Sequence, residues 1–224
     1  MVVSTLTVEP AWHHGVVTTP ISDRPYGGAS AEERRSARRR RVSTAVLDLV
    51  DERGISALTV GIVCERAAVS KRHFYETFDN LDDAAGSTLS DVLEDVATRI
   101  GVVSVDTGQG SDLIEVTVRA VLSAFDDKRL ARLYLEAPGN DGLRSARDRA
   151  VARFVDGFLS TLAVGAVDDP RARLVAHLLV AGSTEVVAMW LRGDVALSRD
   201  DVVSTLVELG TDALVRIRAS GRPD

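Results

Sequence analysis

Residues 54–78 constrain this chain more than any other part of it, because they have the pattern of two short helices joined by a tight turn. Thr59 is a candidate N-cap for a first helix over residues 60–66, since its hydroxyl can accept a hydrogen bond from an orphan N–H one turn in. Ser70 can cap a second helix in the same way, starting at Lys71. The pattern predicts a helix-turn-helix unit.

The second of these helices has one apolar side and one side of cations and hydrogen-bond donors. Phe74 and Phe78 are four residues apart and are expected to anchor the helix to a core, while Tyr75 lies on a different face. Such a helix suits the DNA major groove, where Lys and Arg pair with guanine and His can donate to either acceptor. The candidate DNA contacts here are Thr59, Ser70, Lys71, Arg72, His73, Tyr75 and Thr77.

The spacing of this unit resembles that of the TetR family of bacterial transcriptional regulators. The resemblance covers roughly residues 34–84, and its frame consists of Gly54, Thr59, Ile62, Val63, Cys64, Ala67, Val69, Ser70, Tyr75 and Phe78. The family pattern is G-x-x-x-x-T-x-x-x-I-A-x-x-A-G-V-S-x-x-x-x-Y-x-x-F. Val63 replaces its Ile, Cys64 its Ala and Ala68 its turn Gly. Leu81 stands where the family commonly has a phosphate-binding Lys or Arg, so that contact is not expected here.

The resemblance implies an all-α protein with an N-terminal three-helix head that binds DNA and a C-terminal helical body that binds a ligand and dimerises. It implies a repressor that binds double-stranded DNA at a near-palindromic operator as a homodimer and responds to a small apolar effector. In the family, the positions of Thr59 and Tyr75 often touch phosphate. The positions of Lys71, Arg72 and His73 lie where base edges are read.

The charge distribution agrees with DNA binding at one end only. Residues 30–82 contain ten Lys and Arg against nine Asp and Glu, a balance of +1, which leaves −7 for the rest of a chain whose net charge is −6. Six of these cations lie between Arg34 and Arg41, in the leading half of a predicted helix, where positive charge opposes the helix dipole. DNA phosphate would compensate them, with Arg38 and Arg41 as contacts; a solvated charge run is the alternative.

Periodicity and capping residues divide the chain into helices. The arm of residues 1–29 has no sustained period and is expected to be disordered or loosely docked, followed by a head at 30–82 and a body at 83–224. Helices are predicted over residues 31–53, from 80 or 81 to about 103, 112–125, 127–136, 141–163, 170–192 and 199–219, with a break at 104–111. No segment has the alternation of a strand.

The composition narrows the class of protein and its compartment. A single cysteine, Cys64, excludes an internal disulfide framework and fits the cytoplasm, where it is most simply a packing residue. No run of eighteen uncharged apolar residues and no secretory signal pattern are present, so we expect no membrane span. The four histidines are not framed as metal ligands, and no cofactor is predicted.

The predicted body offers candidates for both an interface and a pocket. Residues 182–184, Gly-Ser-Thr, allow close helix approach, and in the family the last two helices form a four-helix dimer interface. Glu185 lies among apolar residues, where Arg119, His177 or a ligand could pair with it, although an exposed glutamate is equally compatible. The candidate ligand-binding residues, each also compatible with plain core packing, are Phe125, Leu133, Tyr134, Phe154, Phe158, His177, Glu185, Met189 and Trp190.

Two other functions are alternatives to a ligand-responsive repressor. A protein with the same fold could bind DNA but act through a protein partner, without an inducer, and its body core would then be filled. An all-helical enzyme is the third possibility. No catalytic triad, carboxylate pair, phosphate loop or metal-ligand spacing supports it, so we expect no enzymatic activity.

Overall fold

A computed structural model describes residues 30–103 and 110–220, and all regular structure in these two ranges is helical. The α-helices of the described residues, in chain order, are α1 (Ala31–Arg53), α2 (Val60–Ala67), α3 (Lys71–Tyr75), α4 (Leu81–Val103), α5 (Ser111–Ala124), α6 (Lys128–Leu135), α7 (Asp141–Leu162), α8 (Pro170–Arg192) and α9 (Arg199–Ser220). The all-α prediction is confirmed.

The helix ends agree with the predicted ones to within two residues, because the capping residues act as their patterns indicated. Asn140 accepts from the N–H of Leu143 at 3.0 Å to begin α7, and Asp169 begins α8 just before Pro170. Ser198 and Asp201 exchange hydrogen bonds ahead of α9. The predicted arm at 1–29 and nearly all of the predicted break at 104–111 lie outside the described residues.

Helices α1, α2 and α3 pack into a head around the two phenylalanines of the motif. Phe74 and Phe78 are buried with their ring centroids 5.4 Å apart, against a face of α1 formed by Val42, Ala45, Val46, Leu49 and Val50. Helix α1 begins with a capping box between Ser30 and Glu33. It ends at Gly54, whose φ of 76° is a conformation that favours glycine.

The turn between α2 and α3 contains an alanine in a left-handed conformation. Ala68 has φ 50° and ψ 49°, and it is the residue that replaces the glycine of the family pattern. A side chain in this region costs about 1–2 kcal/mol. The sharp turn is thus formed at an energetic disadvantage that a glycine would not have.

Replacing Ala68 with glycine should therefore raise the free energy of unfolding. The relief of the left-handed conformation is partly offset by the greater freedom of glycine in the unfolded chain, which leaves a gain of about 0.5–1 kcal/mol. Thermal unfolding followed by circular dichroism should show a Tm higher by roughly 1–4 °C. A lower Tm in Ala68→Gly would contradict this account of the turn.

The head joins the body through α4, which crosses α7 with backbone against backbone. Both helices have a glycine at the crossing: a Cβ on Gly86 would lie 2.5 Å from the carbonyl oxygen of Gly142, and one on Gly142 would overlap the carbonyl oxygen of Asp82. The amide of Asn140 donates to Asp82 at 2.7 Å beside this point. The crossing therefore fixes the point at which α4 passes from the body to the head.

Helix α6 forms a second connection between head and body. At its start, Arg129 donates to Asp48 of α1 at 2.7 Å and also pairs with Asp127, and both carboxylates raise the pKa of its guanidinium. Near its end, the hydroxyl of Tyr134 donates to the carbonyl of Thr184 on α8 at 3.1 Å. Helix α6 thus contacts α1 at one end and the interior of the body at the other.

Helix α8 is apolar but poorly covered. It is the one helix in the described residues that is long and apolar enough to cross a membrane by length and composition, yet only 17% of its apolar window is buried. Leu174 and Leu178 are 70% and 74% exposed, and Gly182 continues this stripe at four-residue spacing. Leu209 and Val215 of α9 are also exposed. The single chain leaves these apolar side chains uncovered.

Candidate DNA-binding surface and ligand cavity

The N-terminal edge of α3 presents its polar side chains to solvent. Lys71, Arg72 and His73 are all exposed, whereas Phe74, the next residue, is completely buried. The hydroxyl of Ser70 accepts from the N–H of His73 at 3.2 Å and so caps the helix. Because the first residues of α3 are held by this cap and by Phe74, their side chains project from one rigid edge.

The start of α2 lies beside the start of α3. A Cβ added to Gly61 would lie 3.7 Å from the hydroxyl oxygen of Thr59 and 3.9 Å from Cε of Lys71. Thr59 caps α2 by accepting from the N–H of Ile62 at 3.3 Å. The predicted contacts Thr59 and Lys71 therefore belong to one surface, although twelve residues separate them in sequence.

Glu76, which was not among the predicted contacts, restrains two that were. Its carboxylate pairs with Arg72 at 3.1 Å and lies 4.0 Å from Nε2 of His73, while its backbone carbonyl accepts from Arg35 at 3.3 Å. Nδ1 of His73 is also 3.1 Å from the hydroxyl of Ser70. An acidic residue one turn after Arg72 was the sequence signal for this restraint.

Tyr75 is the exposed aromatic residue of the head. Its ring packs edge-on against Phe74 at 5.4 Å, yet 56% of the residue is exposed. A tyrosine held in this way can offer its hydroxyl to a phosphate without first being ordered. Thr77 is half-buried, and its hydroxyl already donates to the carbonyl of His73 at 3.1 Å. Thr77 is the less available of these two predicted contacts.

The arginines of α1 divide into paired and available ones. Arg39 makes two hydrogen bonds to Asp91 of α4, at 3.0 and 2.8 Å, lies over the ring of Phe78, and has its pKa raised chiefly by Asp91. Arg41 is exposed, and Arg38 is half-buried with Nε unpaired among the described residues. Arg39 consequently braces the head on α4, whereas Arg41 is open to solvent and the unpaired Nε of Arg38 is buried.

Cys64 has the environment of a packing residue. Its side chain is buried in the head core, and burial raises the pKa of the thiol. A raised pKa reduces the fraction of thiolate, which is the reactive form of cysteine. The geometry agrees with the packing role predicted from sequence.

The body contains a half-open cavity of about 290 Å³, near the lower limit of the usual range for small-molecule sites. Helices α4, α5, α7, α8 and α9 form its walls, and Tyr134 of α6 reaches it. Its lining is mainly aliphatic and aromatic. The polar or charged residues in the lining are Thr117, Tyr134, Arg147, Arg153, Thr161, Ser183 and Thr184.

The structure brings four of the predicted ligand-binding residues together at this cavity: Phe125, Tyr134, Phe154 and Phe158. Leu133 is buried in the core and does not line it. His177 instead borders a neighbouring surface depression, together with Arg147 and Thr184. Because Arg147 and Thr184 line both spaces, the depression adjoins the cavity.

The other three predicted ligand-binding residues lie outside the cavity lining. Glu185 is exposed and pairs with Arg192 at 3.1 Å and Arg147 at 3.9 Å, so the exposed alternative describes it. Arg119 is not its partner, since that side chain bonds to Glu115 and Asp200. Met189 is partly buried, and the indole of Trp190 donates to the carbonyl of Leu197 at 3.1 Å.

Sequence reasoning missed the two arginines of α7 that reach the cavity. Arg147 precedes Val151, Phe154 and Phe158 at helical spacing, and its guanidinium lies 4.7 Å from the ring centroid of Tyr134. Arg153 follows Ala146 and Ala150 on a neighbouring stripe. The sequence feature that could have identified them is a cation that interrupts an apolar stripe. Burial raises the pKa of Tyr134, which keeps its hydroxyl a donor to Thr184.

Comparison with known proteins identifies the fold. No protein-family model matches the chain. A candidate TetR-family transcriptional regulator from Syntrophomonas wolfei is 16% identical with a TM-score of 0.68, over 80% of this chain and 96% of that one. The regulator FadR from Bacillus subtilis, solved with stearoyl-CoA, is 16% identical with a TM-score of 0.64, over 78% and 98%.

A TetR-family transcriptional regulator from Streptomyces coelicolor is also similar, at 18% identity and a TM-score of 0.60, over 84% of this chain and 90% of that one. The matched regions span head and body together in each case, since each covers more than three-quarters of this chain. The helix-turn-helix frame of residues 54–78 had predicted the same architecture. This chain has the fold of the TetR-family transcriptional regulators.

Proposed function

We propose that this protein is a transcriptional regulator that binds double-stranded DNA as a homodimer and represses transcription until a small ligand enters its body. The observation that carries the proposal is the edge of α3, where Lys71, Arg72 and His73 are exposed directly over the buried Phe74. Residues 30–82 form the DNA-binding head, 83–224 the body, and 1–29 an arm. The protein acts in the cytoplasm, with its DNA, and performs no catalysis.

The DNA contacts divide by their chemistry. Lys71, Arg72 and His73 face the base edges, where Lys and Arg can pair with guanine O6 and N7. Thr59, Ser70, Tyr75 and Thr77 border that edge and position the head on phosphates, together with Arg38 and Arg41 from α1. In the absence of DNA, Glu76 holds Arg72, so binding exchanges this ion pair for a base or phosphate contact.

Dimerisation places two heads on one operator. The exposed stripe of Leu174, Leu178 and Gly182 on α8 is an apolar surface that a second copy of the chain would cover. A two-fold axis through this surface gives two recognition helices, which suits a near-palindromic site with half-sites about 34–36 Å apart.

Ligand control follows from how the cavity adjoins α4 and α6. Leu93 and Ala97 of α4 line the cavity, and α4 begins in the last residues of the head. Tyr134 of α6 lines it too, and the same helix pairs with the head through Arg129 and Asp48. A ligand that prefers one arrangement of these helices shifts the spacing of the heads, by no more than its difference in affinity for the two arrangements.

A regulator that works only through a protein partner would need no such space. That alternative predicts a filled body core, whereas the cavity of about 290 Å³ lies between five helices. The cavity therefore favours a ligand-responsive regulator. Its apolar lining, which includes Phe125, Phe154 and Phe158, favours an effector that is itself largely apolar.

The direct test replaces the exposed edge of the head. In a mobility shift assay with competitor DNA and the protein's own upstream intergenic duplex, the wild type should form a discrete complex. The double variant Lys71→Ala, Tyr75→Ala should bind on the order of 100-fold more weakly, since each contact contributes about 1–3 kcal/mol. The dependence of log affinity on log salt should also become shallower by about 0.9 for each phosphate that the variant no longer neutralises.

Arg99→Ala is the matched control, because Arg99 is an exposed cation of α4 remote from the α3 edge and pairs with Asp95 within its own helix. It should bind DNA as the wild type does. Circular dichroism should show equal helix content in all three proteins. Equal affinity of the double variant and the wild type for the duplex would remove α3 from the DNA interface and overturn the proposal.

A further inference from the structure

One charged side chain of the cavity has two buried nitrogen atoms without a partner. Arg153 of α7 is among the cavity-lining residues, and its Nε and Nη2 atoms are fully buried with no hydrogen-bond partner in the described ranges 30–103 and 110–220. Burial of an uncompensated charge is strongly unfavourable in a folded protein. Such a group in a ligand cavity indicates a partner that arrives with the ligand.

The neighbouring arginines of α7 do not share this condition. Arg147 also lines the cavity, but it stacks on Tyr134 and pairs with Glu185. Arg149 donates to the hydroxyl of Ser90 at 3.1 Å and is exposed. Helix α7 therefore satisfies its other arginines with the chain itself, and among the arginines of α7 Arg153 alone has buried nitrogens without a partner in the described residues.

Three hydroxyl groups of the lining already donate to backbone carbonyls of the chain. Thr117 donates to the carbonyl of Leu113 at 2.8 Å, Ser183 to that of Leu179 at 2.8 Å and Thr184 to that of Ala181 at 2.7 Å. Their hydrogens are thus committed to their own helices. Among these groups, the guanidinium is left as the donor that a polar ligand group would meet.

We propose that the cavity takes an apolar molecule bearing one oxyanion, and that this oxyanion pairs with Nε and Nη2 of Arg153. This inference rests on the proposed ligand-responsive function and specifies its ligand class. The Nε–Nη2 edge of a guanidinium presents two parallel N–H groups, which match a carboxylate or phosphate in a bidentate geometry. The aliphatic and aromatic walls then hold the remainder of the molecule away from water.

Three probes with the same ten-carbon chain separate the oxyanion from the apolar body. Decanoate and decyl phosphate carry an oxyanion of different shape, and decanol carries none. Titration calorimetry on the full chain without DNA should give at least tenfold tighter binding for one of the two anions than for decanol. The tighter anion then identifies the source of the oxyanion as carboxylate or phosphate.

The variant Arg153→Met keeps the length of the side chain and removes its charge. It should weaken binding of the preferred anion by roughly 10- to 100-fold, the range for hydrogen bonds to a charged group, and change decanol binding by less than threefold. Without ligand, its Tm should be higher than that of the wild type, because two buried nitrogen atoms without partners are gone. Arg149→Met, on the same helix but outside the cavity, should match the wild type in both measurements.

Several results would overturn the inference: equal affinity for decanol and both anions, equal weakening of all probes in Arg153→Met, or no binding of any probe. A lower Tm of the ligand-free variant would indicate that Arg153 already has a partner within the chain. Binding of the wild type to its DNA duplex is measured separately. Failure of the anion preference alongside intact DNA binding refutes only the ligand class, and the opposite pattern refutes only the regulator.

Discussion

Replacing Gly142 with alanine should lower the free energy of unfolding by about 3 kcal/mol, at the upper end of the usual range for overpacking. A Cβ at this position would overlap the carbonyl oxygen of Asp82 and lie 2.6 Å from the carbonyl carbon of that residue. These are backbone atoms in the first turn of α4, so no side-chain rotation relieves the overlap. The helices must separate, which also breaks the hydrogen bond of 2.7 Å between Asn140 and Asp82.

Reversible thermal unfolding should accordingly show a Tm lower by roughly 6–12 °C for Gly142→Ala. The matched control is Gly157→Ala in the same helix, because a Cβ at Gly157 meets no atom within 4 Å. Alanine in an open helical position stabilises by about 0.5–1 kcal/mol relative to glycine. A Gly142→Ala variant that unfolded at or above the temperature of the wild type would refute the close crossing of α4 and α7.

The double variant Leu174→Glu, Leu178→Glu should convert the proposed dimer to a monomer and weaken binding to the proposed operator on the order of 100-fold. Both residues are exposed in the single chain, so the substitutions should alter monomer stability by less than about 0.5 kcal/mol each. In the proposed interface each glutamate would be buried without a partner, which is far more costly. Loss of the dimer also removes the second head, whose contribution depends on both heads being linked.

Sedimentation velocity at micromolar concentration measures the assembly, and a mobility shift assay measures its effect on DNA. Ala152→Glu, at an exposed position of α7, adds charge outside this surface and should remain dimeric. Circular dichroism should give the wild-type helix content for both proteins. A double variant that sediments as a dimer would place the interface away from α8 and remove the support that the exposed leucines give to the proposal.

Local chemistry explains why the head was predictable. Thr59 and Ser70 accept hydrogen bonds three residues ahead in the structure, as N-caps do, and Gly54 has the positive φ of a helix terminus. Phe74 and Phe78 are buried because their four-residue spacing puts both on one face of a helix. Each of these features depends on residues within one or two turns, so it is encoded where it acts.

The candidate ligand site was predictable only in part. Phe125, Tyr134, Phe154 and Phe158 line the cavity, whereas Met189 and Trp190, chosen by the same apolar pattern, do not, and neither does Glu185. Helical spacing identifies the face that is buried and leaves open which neighbour it meets. Whether an aromatic side chain fills core or borders a void depends on five helices from distant parts of the sequence.

By itself, the sequence determined the helices, their caps, the helix-turn-helix head and the cations on its exposed edge, because spacing and capping act over a few residues. Only the tertiary structure decided which charges are satisfied and where space remains. Arg39 and Arg38 are adjacent in sequence, yet Arg39 pairs with Asp91, fifty-two residues away, and Nε of Arg38 has no partner among the described residues. Likewise, only the structure identifies Arg153 as a candidate ligand contact, because there its Nε and Nη2 atoms are buried beside the cavity. Burial and pairing of this kind depend on contacts between helices that are far apart in the chain.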